Sequence, residues 1–339
     1  MRIALLVPAP FDTVSGGYIY DRRLVAGLRA LGHAVQVIEL PGHHPLPDDA
    51  ATEGARAALG AVPEDARIVV DGLGLPSFAP FAEALVRRHA VGLIHHPTAQ
   101  EHGKPGPVRD ALRAIEAELF PRLARLVATS PLTARRLPED FGADPARIGV
   151  VEPGTDPAPR SPGSGGDGCA ILSLATLIPR KGHDVLIRAL ATLPDLDWSL
   201  TVAGGARDAV YAQGLAALAE QLGVAQRVSF PGEVVAEEVE ALWAGADIFA
   251  LASHWEGYGM AVAEALARGL PVAVTAGGAL AELVPVAAGV VSLGKAMRRM
   301  IFDRALRAEM AEAAWAAGQA LPRWEDRAGA FVAELEKAR

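Results

Sequence analysis

The stretch that decides the fold is residues 248–275, IFALASHWEGYGMAVAEALARGLPVAVT. It opens with a short apolar run and passes through a loop with two glycines. An alanine-rich segment of helical length follows, then a glycine and a second apolar run. Strands that are apolar at every position are buried on both faces, which is typical of a parallel sheet covered by helices. The stretch therefore predicts a strand–helix–strand unit with parallel strands.

The same alternation of short apolar runs and longer amphipathic segments continues through both halves of the chain. It predicts an α/β protein with two Rossmann-like domains, each a doubly wound parallel sheet. Two long helices, about residues 293–320 and 324–337, are expected to close the chain. The predicted strands are residues 3–7, 34–40, 67–71, 91–95, 126–129 and 147–151 in the first half, and 170–175, 199–203, 228–230, 248–251, 271–275 and 289–292 in the second.

Residues 153–168 separate the two halves and are dense in proline, glycine, serine and aspartate. A segment of this composition cannot bury a core. It therefore predicts a linker between an N-terminal domain, residues 1–152, and a C-terminal domain, residues 169–320. Residues 321–339 follow as a separate C-terminal helix. Two doubly wound domains on one linker are expected to face a central cleft at the carboxyl ends of their strands, where ligands of such sheets bind.

Composition excludes several classes of protein. Hydrophobic residues make up 51% of the 339, which is enough for two cores. The net charge of -8 argues against a protein that coats nucleic acid. Cys169 is the single cysteine, so neither a disulfide scaffold nor a cysteine metal cage is expected, and a cytoplasmic location fits. No apolar window of about 18 residues predicts a membrane span. The basic pairs Arg87-Arg88 and Arg298-Arg299 are expected to be helix surface charges, but they leave a peripheral membrane contact open.

Two segments that follow predicted strands are suited to an anion. Gly16 and Gly17 open a predicted helix, where paired glycines let backbone N–H groups approach a phosphate, although an ordinary glycine turn has the same sequence. Arg180 and Lys181 lie where a strand crosses into a helix. Cations near a helix start are unfavourable beside the helix dipole unless an anion is present. A diphosphate would supply that anion; the alternative is two exposed cations in a loop.

The most informative segment joins a strand to a helix and carries Glu256 and Glu264. Gly257 and Gly259 allow a tight backbone where that helix starts. Eight residues rise only about 12 Å even when fully helical, which suits two carboxylates at opposite ends of a nucleotide sugar. Glu256 would face the sugar hydroxyls and Glu264 the ribose, with the diphosphate on the helix N-terminus. The alternative is that Glu256 is a helix-terminal charge and Glu264 a surface residue.

Together these segments resemble the family 4 retaining glycosyltransferases of GT-B fold, over nearly the whole chain and most strongly across residues 172–284. The two glutamates resemble the signature of that family. The run RKGHD at residues 180–184 resembles its phosphate-binding loop. The family often has an arginine at the position of Thr176, so Arg180 and Lys181 are expected to carry more of the phosphate charge here.

Two further segments extend the resemblance into the first half of the chain and its end. Residues 94–97, IHHP, resemble the strand end where the family places a histidine near the transferring sugar. The resemblance does not decide between His95 and His96. The segment from Trp324 resembles the last helix of the family, which crosses back to the first domain.

The resemblance implies transfer of a sugar from a UDP- or GDP-sugar to an unidentified acceptor, with retention of the anomeric configuration and closure of the two domains. Arg180 and Lys181 would stabilise the leaving diphosphate, and Glu256 would orient the sugar. Because these side chains and backbone amides supply the charge, no metal and no cofactor are expected. The site residues so implied are, for catalysis, Glu256, Lys181, Arg180, His95 and His96, and, for donor binding, Gly16, Gly17, Gly257, Tyr258, Gly259, Met260, Ala261 and Glu264.

Two other functions fit the same segments. A nucleotide-sugar epimerase or hydrolase of the same fold would act on the donor without an acceptor. A non-catalytic protein would bind the nucleotide sugar as a sensor or partner subunit, although the presence of both Glu256 and Lys181 argues against an inactive site.

Overall fold

The computed structural model describes residues 1–101, 103–290 and 293–338, and the chain divides into two compact units. Unit 1 comprises Met1–Gly154 and the chain from Pro322 onward, and unit 2 comprises Thr155–Leu321. Each unit is built on its own six-stranded sheet, in which the paired strands run parallel. Among the helices described, none combines the length and the apolar character needed to cross a membrane.

Unit 1 has a sheet whose order reverses at its first strand. Its elements are β1 (Arg2–Pro8), α1 (Gly16–Ala30), β2 (Ala34–Leu40), α2 (Asp49–Ala61), β3 (Ala66–Asp71), α3 (Ala82–Arg87), β4 (Val91–Ile94), α4 (Gly106–Leu119), β5 (Arg125–Ala128), α5 (Pro131–Phe141) and β6 (Ile148–Val150). The strand order is β2-β1-β3-β4-β5-β6. Leu5 pairs with Val37 on one side and with Val69 on the other. The carboxyl ends of β1 and β3 therefore border a switch point, where ligands of open α/β sheets bind.

Unit 2 has the same kind of reversal. Its elements are β7 (Cys169–Leu174), α6 (His183–Ala191), β8 (Trp198–Ala203), α7 (Ala209–Gln221), β9 (Val228–Gly232), α8 (Ala236–Ala244), β10 (Ile248–Leu251), α9 (Met260–Ala267), β11 (Val272–Val274), α10 (Leu280–Leu283), β12 (Gly289–Val290), α11 (Lys295–Phe302) and α12 (Arg304–Ala320). The strand order is β12-β11-β10-β7-β8-β9, so the reversal lies between β7 and β10. Every residue of β10 is buried, as its uninterrupted apolar run predicts.

Two predicted elements differ from the observed ones. The helix predicted over residues 293–320 is two helices, α11 and α12. The break comes at Asp303, which has an extended backbone and accepts the N–H of Leu306 with its side chain, so it caps the start of α12. The strand predicted at residues 289–292 is observed as β12 over its first two residues, and residues 291 and 292 lie outside the described part of the chain.

The segment predicted as a linker lies largely against unit 2. From Thr155 onward it groups with that unit, although it has little regular secondary structure. Ser161 Oγ donates to the carbonyl oxygen of Trp243 at 2.9 Å, and Ser164 Oγ donates to Asp247 Oδ2 at 2.7 Å. The prolines and glycines prevent a helix or strand here, but the serine side chains replace the missing backbone pairing.

The last helix, α13 (Trp324–Lys337), belongs to unit 1. It packs along α1, where a Cβ at Gly27 would lie 2.9 Å from the Cβ of Ala328. Glu334 forms an ion pair with Arg125 of β5, and the two side chains are only 12% and 9% exposed. An ion pair with so little solvent contact fixes the position of α13 on the sheet, because separating its charges would leave one of them buried alone.

We predict that Glu334→Gln destabilises unit 1 by about 3 kcal/mol, because it leaves Arg125 buried without a counter-charge. Urea unfolding followed by circular dichroism measures this loss. Glu336→Gln, an exposed position on the same helix, is the matched control and should change the free energy of unfolding by less than about 0.5 kcal/mol. Equal effects of the two substitutions would show that the ion pair does not hold α13.

Candidate active site

Three loops of unit 2 meet at the carboxyl ends of β7, β10 and β11. The backbone N–H of His254, after β10, donates to the carbonyl oxygen of Arg180, after β7, at 2.8 Å. Thr275, after β11, donates from Oγ1 to the carbonyl oxygen of Ser253 at 2.5 Å. These bonds tie the three loops together beside the switch point between β7 and β10, the position at which such sheets bind ligands.

The carboxylate of Glu256 is the centre of this arrangement. Only 7% of the residue is exposed. Its Oε1 accepts a hydrogen bond from Lys181 Nζ at 2.5 Å and another from Ser253 Oγ at 2.6 Å, while Arg180 Nη1 lies 3.8 Å from Oε2. Burial acts to raise the pKa of Glu256, but the two cations outweigh it and hold the pKa below its ordinary value. The carboxylate is therefore ionised at neutral pH.

Lys181 and Arg180 place an excess of positive charge at this carboxylate. Burial holds the pKa of Lys181 below its ordinary value; the carboxylate of Glu256 acts against this lowering, and Arg180 adds to it. Arg180 Nη1 also donates to the carbonyl oxygen of Trp255 at 2.7 Å, which holds the guanidinium against the loop after β10. Two cations and one carboxylate leave one positive charge in this group of three, so the group is suited to an anionic ligand.

Two glycines shape the loops that carry these side chains. Gly278, after β11, has a φ of +66°, and a Cβ there would lie 2.2 Å from the carbonyl oxygen of Glu256. The backbone N–H of the next residue, Ala279, donates to that same oxygen at 3.0 Å. Gly259 has a φ of +108° and stands at the N-cap of α9. Side chains at either position would displace the backbone of the loop that holds Glu256.

The start of α9 presents the predicted donor-binding segment. Gly257 and Tyr258 lead into Gly259, and Met260 and Ala261 form the first turn of the helix. The first N–H groups of a helix have no partner within it, and Gly259 has no side chain that could cap them. Glu264 lies further along α9 and is half-buried between the buried Ala263 and Ala265. The structure thus brings the residues from Gly257 to Ala261 to the end of β10 with Glu256, and it places Glu264 on the helix that follows.

In unit 1 the structure brings His95 to Gly17. A Cβ at Gly17 would lie 3.3 Å from Cδ2 of the His95 ring, so the imidazole packs directly on the start of α1, which Gly16 opens. His95 Nε2 lies 3.1 Å from Asp21 Oδ1 and 3.3 Å from Asp71 Oδ2. His96 is half-buried and follows His95 at the end of β4.

The spacing of the Asp21, Asp71 and His95 ligand atoms, all within 4.8 Å of one another, would also suit a small cation. One N–H of His95 shared between the two carboxylates would account for both contacts without an ion. That the protein needs no metal stays a prediction.

Three residues of these clusters were not singled out by the sequence. Ser253 stands only three positions before Glu256, so this partner is local in the sequence. Asp21 lies inside an amphipathic helix and Asp71 ends an apolar strand. A charged residue within a buried face is a signal of a paired or functional group, but the identity of its partner depends on the sheet order.

Family models match both units. The model for glycosyl transferases group 1 matches residues 156–314, and the model for glycosyltransferase family 4 matches residues 14–159. D-inositol 3-phosphate glycosyltransferase from Mycobacterium sp. (strain KMS) is 33% identical over 205 residues, which cover 57% of this chain and 46% of that protein. The chain thus spans about half the length of the curated relatives it matches.

Two solved structures resemble the whole chain. Sucrose-phosphate synthase from Thermosynechococcus elongatus superposes with a TM-score of 0.82 and 19% identity over 100% of both chains. HepE from Anabaena, in complex with UDP-glucose, superposes with a TM-score of 0.79 and 19% identity over 99% of both chains. At this level of identity the likeness concerns the fold, and it confirms the predicted GT-B fold.

We predict that Gly278→Ala destabilises unit 2 by about 2 kcal/mol, because a left-handed conformation is unfavourable for alanine and the new Cβ meets the backbone of Glu256. Thermal unfolding followed by circular dichroism measures the effect. Gly214→Ala, inside α7 with open space around its Cβ position, is the control and should stabilise by about 0.5 kcal/mol. An unchanged stability in Gly278→Ala would contradict the assigned loop contact.

Proposed function

Because the chain belongs to glycosyltransferase family 4, we propose that it transfers a sugar from a nucleoside diphosphate sugar to an acceptor, with retention of configuration and without a metal ion. The observation that carries the proposal is the ion pair between Lys181 and the buried carboxylate of Glu256, beside Arg180. It lies at the strand-order reversal of unit 2, where ligands of open α/β sheets bind.

The excess positive charge of this group suits the leaving group of such a transfer. As the bond between the sugar and the diphosphate breaks, negative charge grows on the phosphate oxygen. Arg180 and Lys181 carry two positive charges against the single negative charge of Glu256. Removal of one positioned donor from a developing oxyanion costs about 3 kcal/mol in enzymes where it has been measured. Two fixed cations therefore supply a large stabilisation, and a metal ion is not needed for it.

Glu256 is suited to hold the sugar rather than to attack it. Its Oε1 already accepts hydrogen bonds from Lys181 and Ser253, which fix the carboxylate in one orientation. An ionised carboxylate fixed in this way accepts further hydrogen bonds from sugar hydroxyls. We therefore assign it to orientation of the donor sugar. We expect the departing phosphate oxygen to take the proton of the acceptor on the same face of the sugar.

The turn that starts α9 is proposed to bind the diphosphate, and Glu264 the ribose. The N–H groups of Met260 and Ala261 lie at the N-terminus of an α-helix, which favours a negative charge. The likeness to HepE, which was solved with UDP-glucose, supports a nucleotide sugar as the class of donor. The mycobacterial relative is named for an inositol phosphate acceptor, but the match covers less than half of it, so we assign no acceptor.

The proposed location is the cytoplasm. Cys169, the single cysteine, is a buried free thiol in β7. A thiol that has no disulfide role is compatible with a reducing compartment.

A donor panel separates the proposed function from its two alternatives. The full chain is incubated with UDP- or GDP-sugars and candidate acceptors, and free sugar, epimerised donor and glycosylated acceptor are quantified. Transfer requires a product that contains both donor sugar and acceptor. Free sugar or an epimerised donor, formed at the same rate without acceptor, would indicate the hydrolase or epimerase instead. Saturable donor binding without any turnover would indicate a binding protein.

We predict that Lys181→Met and Glu256→Gln each lower kcat at least about ten-fold, equivalent to about 1.4 kcal/mol of transition-state stabilisation. Lysine supplies charge to the leaving diphosphate, and the glutamate orients the sugar. Initial rates at saturating donor measure the effect, with circular dichroism to verify folding. Arg188→Met, which removes an exposed cation of α6, is the control for net charge. A wild-type rate in either folded site variant would exclude that side chain from the mechanism.

We also predict that EDTA leaves the transfer rate unchanged, because Arg180 and Lys181 provide the positive charge that a metal would otherwise supply. The rate is measured in dialysed protein with and without EDTA and again after addition of Mg²⁺ or Mn²⁺. A loss in EDTA that either ion restores would show that the two side chains are not sufficient.

A further inference from the structure

Unit 1 holds a second buried charged group, separate from the group of Glu256, Lys181 and Arg180 in unit 2. Asp21 of α1 is 1% exposed, and Asp71 at the end of β3 is 4% exposed. Both carboxylates face one nitrogen, Nε2 of His95, at 3.1 and 3.3 Å. Because two buried carboxylates beside each other are costly, they favour a positive charge on the group between them.

The packing of the His95 ring fixes which nitrogen faces the carboxylates. Its Nε2–Cδ2 edge lies on Gly17, where a Cβ would be 3.3 Å from Cδ2 and 3.5 Å from Nε2. The ring of Tyr20 stands edge-on to it, with centroids 5.2 Å apart, and Tyr20 is itself anchored by a 2.9 Å hydrogen bond from its hydroxyl to the carbonyl oxygen of Val151. A ring flip would break both carboxylate contacts. The side chain is 20% exposed. Because Nε2 faces both carboxylates, Nδ1 is the ring nitrogen left for a further partner.

We propose that Asp21 and Asp71 are positioning residues that hold His95 as an imidazolium, so that His95 acts in the proposed glycosyl transfer as a hydrogen-bond donor through Nδ1 and not as a proton acceptor. The proposal rests on the proposed function for the role of His95 in transfer, but the protonation state is a property of the protein alone. With two carboxylates and one imidazolium, the triad has a net charge of -1. That charge disfavours a phosphate at Nδ1, so the partner of this N–H is a neutral oxygen such as a hydroxyl.

The electrostatics of the triad agree with this assignment. Burial acts to lower the pKa of His95, but Asp21 and Asp71 outweigh it and raise the pKa to about 10. Burial raises the pKa of Asp21 to about 6, although His95 and Arg22 act against that rise. Asp21 is thus ionised above about pH 6 and His95 protonated below about pH 10, so this ion pair is present between these two values. Because the folded pKa of His95 lies above its unfolded value, its stabilising effect is complete below about pH 6.5 and is lost as the pH rises toward 10.

Nitrogen-15 NMR of the imidazole rings in the full chain tests the proposal, because it reports the protonation state of His95. His95→Asn assigns the signal among the nine histidines. In the wild-type protein we expect both ring nitrogens to stay protonated from about pH 7 to about pH 9. In Asp71→Asn we expect the pKa of His95 to fall by at least about one unit, because one of the two carboxylates is gone. Asp21→Asn is the second variant if the first does not fold.

Asp65→Asn is the matched control, because Asp65 is an exposed aspartate of unit 1 that pairs with Arg2 and is outside the triad. It should leave the titration of His95 unchanged. A neutral His95 ring at about pH 7 in the wild-type protein would overturn the proposal. So would an unchanged titration in the folded triad variants. A divalent cation that copurifies in one copy per chain, and whose removal by EDTA shifts the His95 signals, would also overturn it, since the ion would then hold Nε2.

Kinetics connect this protonation state to transfer. In Asp71→Asn the rate should fall as the pH rises through the lowered pKa of His95, whereas the wild-type rate should show no such decrease below about pH 9. A rate that follows no His95 titration in the variant would exclude a donor role. If the NMR result holds but no transfer is found with any donor, the proposed function fails while the assigned protonation state of the triad stands.

Discussion

The arrangement of the three loops in unit 2 depends on the burial of the Glu256 carboxylate. A carboxylate that is 7% exposed needs a cation and hydrogen-bond donors beside it, because desolvation costs several kcal/mol per ion. Lys181 supplies the charge from the loop after β7, and Ser253 supplies a hydroxyl from the loop after β10. Gly278, after β11, admits the backbone of Glu256 at close range. Three loops must therefore adopt one arrangement together, and a site preorganised in this way spends little free energy on ordering when an anion binds.

The two units share one sheet architecture, but the charged groups at the ends of their strands differ in the sign of the excess charge. In each, parallel strands reverse their order, and charged side chains collect at the carboxyl ends of the strands beside the reversal. In unit 2, two cations surround one carboxylate, which favours an anion. In unit 1, two carboxylates flank one imidazole, which favours the protonated form of the ring.

The sequence predicts the fold well because each strand is encoded locally. An apolar run such as 248–251 has no polar face, which is typical of an interior strand of a covered sheet, and all four of its residues are buried. The proximity of Glu256, Lys181 and Arg180 could also be predicted, because each stands in a loop just after a strand, and parallel strands bring such loops to one edge. The capping role of Asp303 was missed because the apolar pattern continues across the break between α11 and α12.

What the sequence does not contain is the pairing of distant charges. Asp21 and His95 are 74 positions apart, and they meet because β1, β3 and β4 are neighbours in the sheet. A buried aspartate can be recognised in a helical pattern, but its partner follows only from the strand order. The same holds for Arg125 and Glu334, which are 209 positions apart and join α13 to β5. Neither ion pair has a local sequence signal that identifies its partner.

The proposed diphosphate site beside Lys181 and Arg180 is tested most directly by a crystal structure of the protein with a bound nucleoside diphosphate. We expect phosphate oxygens within about 3.5 Å of the Lys181 ammonium or the Arg180 guanidinium, and hydrogen bonds from the N–H groups at the start of α9. A diphosphate that is well ordered elsewhere, with Lys181 still paired only to Glu256, would contradict it.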